Sequence, residues 1–262
     1  MWNKLLVMLK ADWGVMLEYR VMILIWMTSG FLPLIMMGLW SALAARGPIG
    51  GYSQADFVAY YVVALFVRQM TAVWVSWELD RQIRLGELSP FLLRPMHPIY
   101  HHMTENLADK GIRLLVMGPP LLIFIAAVPS FRAYLTPFSI IAFLIALAGA
   151  WALVFLSMFA CGLLAFWTSQ VSAIGDFWYG VRMLLSGIIA PLSFFPPAVA
   201  AAASVLPFRF MLSFPAEILL GKLGGEALAT GFALMAAWVA LFALLVAWLW
   251  RVGVRNYSAA GA

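Results

Sequence analysis

Long apolar runs separated by short polar or turn-rich stretches dominate the pattern of this chain. The runs cover residues 21–44, 57–77, 112–128, 138–167, 177–195 and 232–250. Most of them approach or exceed the roughly 20 residues that a helix needs to cross a hydrocarbon core. They lack the alternation of apolar and polar residues that strands of a membrane barrel require. The pattern therefore predicts an all-α, polytopic membrane protein with about six transmembrane helices and no attached soluble domain.

The first 20 residues predict a helix of another kind. Its apolar residues recur at helical spacing: Trp2, Leu5, Leu6, Leu9, Trp13, Met16 and Leu17. Lys4, Lys10, Asp12 and Glu18 fall mostly on the opposite face. A helix of this type lies in the membrane interface, so we predict an interfacial helix over residues 1–20. Direct continuation into the first span is the alternative, and these charges disfavour it.

The composition agrees with a membrane protein. Of the 262 residues, 65% are hydrophobic and 10% are charged, and the mean hydropathy is +0.97. A soluble domain would be about 45–50% apolar, with about a quarter of its residues charged. The net charge of +5 is too small to indicate binding to nucleic acid. It fits the excess of basic residues that membrane proteins keep on the cytoplasmic side.

One long polar segment, Glu78–Lys110, follows the second apolar run. Basic residues near span ends decide on which side of the membrane such a segment lies. With the N-terminus inside, the cytoplasmic set is Lys4, Lys10, Arg20, Arg81, Arg84, Arg94, Lys110, Arg113, Arg251 and Arg255. The outer set is the smaller one: Arg46, Arg132, Arg209 and Lys222. This imbalance predicts that both termini and the polar segment are cytoplasmic.

A second informative region, residues 196–231, is apolar but broken by prolines and glycines. Its two apolar pieces, 198–206 and 208–220, are too short to span a membrane. We therefore predict a re-entrant segment on the outer side. Glu217 in the second piece faces either a wet cavity or solvent at the rim.

Arg68 and Gln69 lie near the middle of the second predicted span, and Arg182 lies near the start of the fifth. An arginine at mid-membrane costs a few kcal/mol, so it should face protein or water. Two interpretations remain open for these side chains. They belong to a transport pathway or an ion pair between subunits, as Glu217 also could, or they snorkel and make structural hydrogen bonds.

No catalytic, cofactor or metal site is expected in this chain. All three histidines lie in the polar segment, so no base accompanies a nucleophile inside the membrane. His97, His101 and Glu105 recur every four residues, but Pro98 suits a helix start and places His97 at the cap. The phosphate-binding pattern G-x-x-x-x-G-K-[ST] is absent, so ATP hydrolysis would need another chain. Internal repeats and mid-membrane coupling carboxylates, typical of ion-driven transporters, are not evident.

The order of these elements resembles that of the ABC-2-type permease family, over the whole chain. The likeness is sharpest at two places. The first is the stretch from Glu78 to Pro95, where the matching residues are Gly86, Leu88, Leu92, Arg94 and Pro95. The second is the stretch from Leu185 to Pro215, with S-G-I-I-A-P-L-S-F-F-P followed by L-P-F.

The resemblance implies a single membrane domain of an ATP-driven transporter in the bacterial plasma (inner) membrane, most often an exporter. Two membrane subunits, identical or related, would pair above two ATPase subunits, which bind ATP and Mg²⁺. Residues 86–102 would form the coupling helix that docks on the ATPase. The outer segment would cap the exit path.

Residues of the polar segment suit such docking. Its prolines pre-set the backbone, and its apolar side chains would find no lipid if they project into water. The docking candidates are Arg84, Gly86, Glu87, Phe91, Leu92, Leu93, Arg94, Pro95, Met96 and Tyr100. Packing of this segment on the chain's own spans is the alternative.

The cargo is predicted to be amphipathic or lipid-like. The spans are rich in Phe, Trp and Met, whereas a route for sugars or ions would need more hydrogen-bonding side chains. Helix packing alone explains these residues equally well. An ion-coupled or passive transporter without an ATPase is the alternative function, and a structural membrane protein is a weaker third one.

Overall fold

The computed structural model of the protein describes residues 2–28, 30–132 and 134–257. These residues form fourteen α-helices and no strand, which confirms the all-α prediction. In the first half of the chain the helices are α1 (Trp2–Glu18), α2 (Arg20–Thr28), α3 (Leu32–Ala44), α4 (Gln54–Met70), α5 (Val75–Arg84), α6 (Ser89–Leu92) and α7 (Ile99–Ala127). In the second half they are α8 (Pro129–Arg132), α9 (Pro137–Leu163), α10 (Val171–Leu185), α11 (Pro197–Val205), α12 (Pro207–Phe210), α13 (Ser213–Leu219) and α14 (Gly225–Gly253).

Within the described residues, five helical stretches are long and apolar enough to cross a membrane. They cover Arg20–Ala44, Gln54–Arg84, Ile99–Ala127, Pro137–Phe166 and Gly225–Asn256. The predicted fifth span at residues 177–195 corresponds to α10, which has 15 residues and ends at Leu185. Gly187 has a φ of +89°, and the chain from there to Pro191 is not helical. The polytopic prediction is thus confirmed, with a shorter helix at this position.

The N-terminal helix α1 packs against α7 and runs almost directly into α2. A small buried cluster joins α1, α2 and α7, and it consists of Met16, Ile23, Met27, Ala108 and Ile112. Two backbone bonds, from Tyr19 N to Val15 O (3.2 Å) and from Ile23 N to Tyr19 O (3.0 Å), carry helical bonding across the junction. These contacts do not test whether α1 lies in the membrane interface, and that position stays a prediction.

The main core surrounds α4 and α9. Tyr60, Tyr61 and Val63 of α4 are fully buried, as are Ala146 and Leu153 of α9. The helix α9 packs against α14 on one side and against α5 and α13 on others. These two helices therefore position the elements that carry the polar side chains.

Two helix boundaries differ from those expected from the apolar runs. The predicted second span breaks after Met70, and helix resumes at Val75. The third span starts at Ile99 instead of residue 112 and continues through Pro119 and Pro120. Each of these prolines removes one backbone N–H from the helical hydrogen bonds, and the helix continues through both.

Candidate functional site

The loop between α5 and α7, residues 85–98, is the polar feature that the sequence singled out, and it is called the α5–α7 loop below. It turns at Gly86, whose φ of +75° lies in the left-handed region that favours glycine. Leu88 follows and is fully buried, and its amide donates to Gln82 O at 3.0 Å. One apolar side chain thus anchors the start of the loop.

The α5–α7 loop is also attached to the end of α14. Ser89 Oγ lies 3.0 Å from the hydroxyl of Tyr257, and the rings of His97 and Trp250 are 4.4 Å apart. His97 Nδ1 accepts a hydrogen bond from the amide of Ile99, the first residue of α7, at 3.1 Å. Burial of His97 lowers its pKa, because desolvation disfavours the imidazolium.

The remainder of the loop presents apolar side chains to the outside. Leu93 is 88% exposed and Leu85 is 62% exposed. The residues next to Leu93 are exposed as well, namely Leu92, Arg94 and Pro95. An exposed apolar group next to cations is typical of a surface that binds another protein.

Other predicted docking residues contact their own chain. Arg84 pairs with Asp80 at 2.7 Å, and Glu87 lies 3.4 Å from Arg81. The Phe91 ring is half-buried, with its centroid 5.0 Å from that of His101.

The guanidinium of Arg94 lies 4.8 Å from the Phe91 ring centroid, and Met96 and Tyr100 are half-buried. Part of the predicted surface therefore supports the loop from inside. Leu85 was missed by sequence reasoning, although its place between Arg84 and Gly86 would have indicated exposure.

A polar cluster bridges α4 and α7 near the helix break. Arg113 Nε lies 2.6 Å from Asp109 Oδ2, and Arg113 also donates to Gln69 Oε1 at 2.7 Å. Gln69 Nε2 in turn donates to Met27 O at 3.0 Å. Gln69, predicted as a pathway or inter-subunit residue, thus makes hydrogen bonds within its own chain.

The carbonyl oxygen of Ala72, freed by the break, is capped by two side chains of α7. Lys110 Nζ and Asn106 Nδ2 both donate to it, the latter at 3.3 Å. Asn106 Oδ1 also accepts from Trp151 Nε1 at 2.7 Å. The polar residues 106, 109, 110 and 113 recur at helical spacing, and this signal would have extended α7 into the polar segment.

Arg68 and Arg182 line one cavity of about 300 Å³ between α4, α5 and α10. Arg68 donates to the hydroxyl of Tyr179 at 2.8 Å, and the Arg182 guanidinium lies 5.2 Å from the centroid of the same ring. The structure therefore brings together two predicted residues that are 114 positions apart along the chain.

Glu217, the fourth of these candidates, lies in α13 and pairs with Arg209 at 2.8 Å. Beside it, the non-helical chain after α10 is held by aromatic donors. Tyr60 donates to Gly187 O at 2.8 Å, and Tyr61 donates to Ile189 O at 2.9 Å. The carbonyl oxygens in this non-helical stretch thus accept hydrogen bonds from buried tyrosine side chains, as an apolar environment requires.

Comparison with known proteins gives one match. A family model described as "ABC-2 family transporter protein" matches residues 24–261. No curated protein and no solved structure matches the chain.

Proposed function

Because this chain belongs to the ABC-2 family of transporter proteins, we propose that it is the permease subunit of an ATP-driven exporter whose ATPase is a separate chain. The sequence has no pattern for binding the phosphates of ATP, which supports an energy source in a partner chain. A second membrane subunit, identical or related, would complete the pathway.

The observation that carries the proposal is the exposure of the α5–α7 loop. Leu93 projects with 88% of its surface exposed, although the loop is fixed at both ends by Leu88 and His97. A fixed loop loses little entropy on docking. Burial of Leu93 in a groove of the ATPase would stabilise the complex by about 1.5–3 kcal/mol. Arg94 and Glu87 would form the polar rim.

The orientation follows from the basic residues. Arg81, Arg84 and Arg94 lie in or beside the loop, which favours its position on the cytoplasmic side of a bacterial inner membrane. Both termini would then also be cytoplasmic. The chain from α11 to α13 would lie on the outer side, where a re-entrant arrangement would cap the exit.

A co-purification experiment tests the docking surface. The tagged protein is isolated from its native membrane, and ATP hydrolysis and subunit composition of the eluate are measured. Leu93→Glu and Arg94→Glu should each lose the ATPase, while size-exclusion profiles stay unchanged. Arg46→Glu, an exposed charge reversal in the loop between α3 and α4, is the matched control and should retain it.

Two outcomes would contradict the proposal. One is an intact complex in both loop variants. The other is movement of cargo by the purified chain in vesicles without any ATPase, which would favour the ion-coupled or passive alternative.

A further inference from the structure

The cavity that Arg68 and Arg182 share differs in chemistry from the rest of the spans. Its walls include the apolar or aromatic side chains of Val73, Trp74 and Met158, and Arg68 and Arg182 belong to the same lining. A volume of about 300 Å³ is at the lower end of the range for small-molecule sites. The cavity thus combines apolar walls with concentrated positive charge.

The charges of the cavity do not balance within the chain. Among the residues that the structure describes, Arg68 and Arg182 have no carboxylate within ion-pair distance, 4.0 Å. A third arginine of the lining, Arg113, pairs with Asp109 at 2.6 Å, and Lys110 shares this carboxylate at 2.9 Å. The cavity therefore holds two guanidinium groups without a carboxylate partner.

One acid, Asp176, also lines this cavity but does not pair with the arginines. It lies six residues before Arg182 on α10, about 9 Å along the helix axis. Its side chain is exposed. It therefore reduces the positive charge of the lining without occupying the donors of either guanidinium.

The two guanidinium groups converge on Tyr179. The Tyr179 hydroxyl accepts from Arg68 at 2.8 Å, and its ring centroid lies 6.0 Å from Arg68 and 5.2 Å from Arg182. Each guanidinium carries five N–H donors in a planar fork that matches phosphate or carboxylate oxygens. Most N–H donors of the two guanidinium groups beside the Tyr179 ring therefore remain available to an anion.

From this geometry we propose that the cavity binds the anionic headgroup of an amphiphile, a phosphate or a carboxylate, with its chain along the apolar walls. The inference rests on the proposed function and assigns the class of its cargo. An anion offsets the cost of keeping two arginines at membrane depth. Charge-assisted bonds to a guanidinium are also about twice as strong as neutral ones.

Binding to the chain in phosphatidylcholine nanodiscs tests the proposal. Decyl phosphate, decyltrimethylammonium and decyl maltoside share one chain and differ in headgroup charge. Each is titrated while tryptophan fluorescence is recorded, since Trp74 and Trp77 line the cavity. Decyl phosphate should bind saturably and at least about tenfold more tightly than the other two.

The double variant R68Q/R182Q should lose this preference, with decyl phosphate binding about tenfold or more weakly. Arg251→Gln, which removes an exposed charge at the end of α14, is the matched control and should bind like the wild type. If the double variant fails to fold, the single variants and the wild-type headgroup comparison still decide the matter.

Inorganic phosphate distinguishes two sources of the anion. If it displaces decyl phosphate, the site accepts a free anion; if it does not, the site requires the attached chain, and both results support an anionic ligand. Equal binding of the cationic amphiphile, or equal affinity in R68Q/R182Q and R251Q, would overturn the proposal. So would a double variant that changes only the oligomeric state, because the arginines would then pair with another subunit. This assay needs no ATPase, so its failure is distinct from failure of the docking experiment.

Discussion

The guanidinium of Arg113 donates to the amide oxygen of Gln69 at 2.7 Å and lies 2.6 Å from the carboxylate of Asp109. This pair of contacts joins α7 to the last turn of α4, beside the point where that helix breaks. Asp109 is fully buried and Arg113 is 5% exposed. A buried carboxylate that is shared by Arg113 and Lys110 therefore lies beside the helix break.

Replacement of Asp109 by Ala should destabilise the protein strongly. It leaves Arg113 and Lys110 without a carboxylate in a buried place, and such a change costs about 3–5 kcal/mol. Thermal unfolding of the purified protein measures the loss. Glu87→Ala, which removes an exposed partner of Arg81, is the control and should cost at most about 1 kcal/mol. Equal melting temperatures for the two variants would show that the buried pair contributes no more than a surface one.

Replacement of Tyr60 by Phe should loosen the non-helical chain after α10. The variant keeps the ring but leaves the carbonyl oxygen of Gly187 without its donor, at a cost of about 1 kcal/mol. Tyr61→Phe should have a smaller effect, because Ile189 O also accepts a hydrogen bond from Trp40 Nε1 at 2.8 Å. Hydrogen exchange of residues 186–190 measures the loosening. Tyr19→Phe, at an exposed site, serves as the control, and identical exchange in all three variants would refute the assigned role.

Replacement of Gly86 by Ala should shift the α5–α7 loop. An L-residue at a φ of +75° costs about 1–2 kcal/mol, so the turn should relax and displace Leu88. We expect a lower melting temperature and weaker retention of the ATPase in the co-purification experiment. Gly14→Ala, in α1 with open space around it, should be neutral or slightly stabilising. Full retention of the ATPase by the Gly86 variant would indicate that loop geometry does not matter for docking.

Lowering the pH should weaken the contact between His97 and Trp250. Burial lowers the pKa of His97 in the folded protein, so the unfolded chain binds the proton more readily. The stability from neutral His97 is fully present above the unfolded pKa of about 6.5, and it falls as the pH drops below that value. An NMR titration of its imidazole should give a midpoint below 6.5, with His97→Gln assigning the signal. A midpoint at or above 6.5 would contradict burial of this ring.

Much of the fold follows from the apolar runs, because a backbone in lipid can pair its polar groups only within a helix. The break after Met70 does not follow from them. The sequence Thr71–Trp74 contains neither proline nor glycine, and the carbonyl oxygen of Ala72 is satisfied by Asn106 and Lys110 from another helix. Local propensity carries no information on such a tertiary partner.

The candidate site was predictable to a similar degree. The exposure of Leu93 follows from its place in a polar, proline-rich segment. The attachment of this segment to Tyr257 joins residues 168 positions apart, and no local pattern reports a contact of that range. For the same reason, the sequence does not predict that Arg68 and Arg182 both contact Tyr179.

The attachment of the loop to Trp250 and Tyr257 has a mechanical consequence. A displacement of the loop should also displace the end of α14, because Ser89 and His97 contact Tyr257 and Trp250 there. That helix packs mainly against α9, so the two should swing together as one lever. A movement that begins at the loop on one membrane surface would in this way reach the opposite surface as a rigid-body motion of α9 and α14. It would not require a series of small side-chain rearrangements between them.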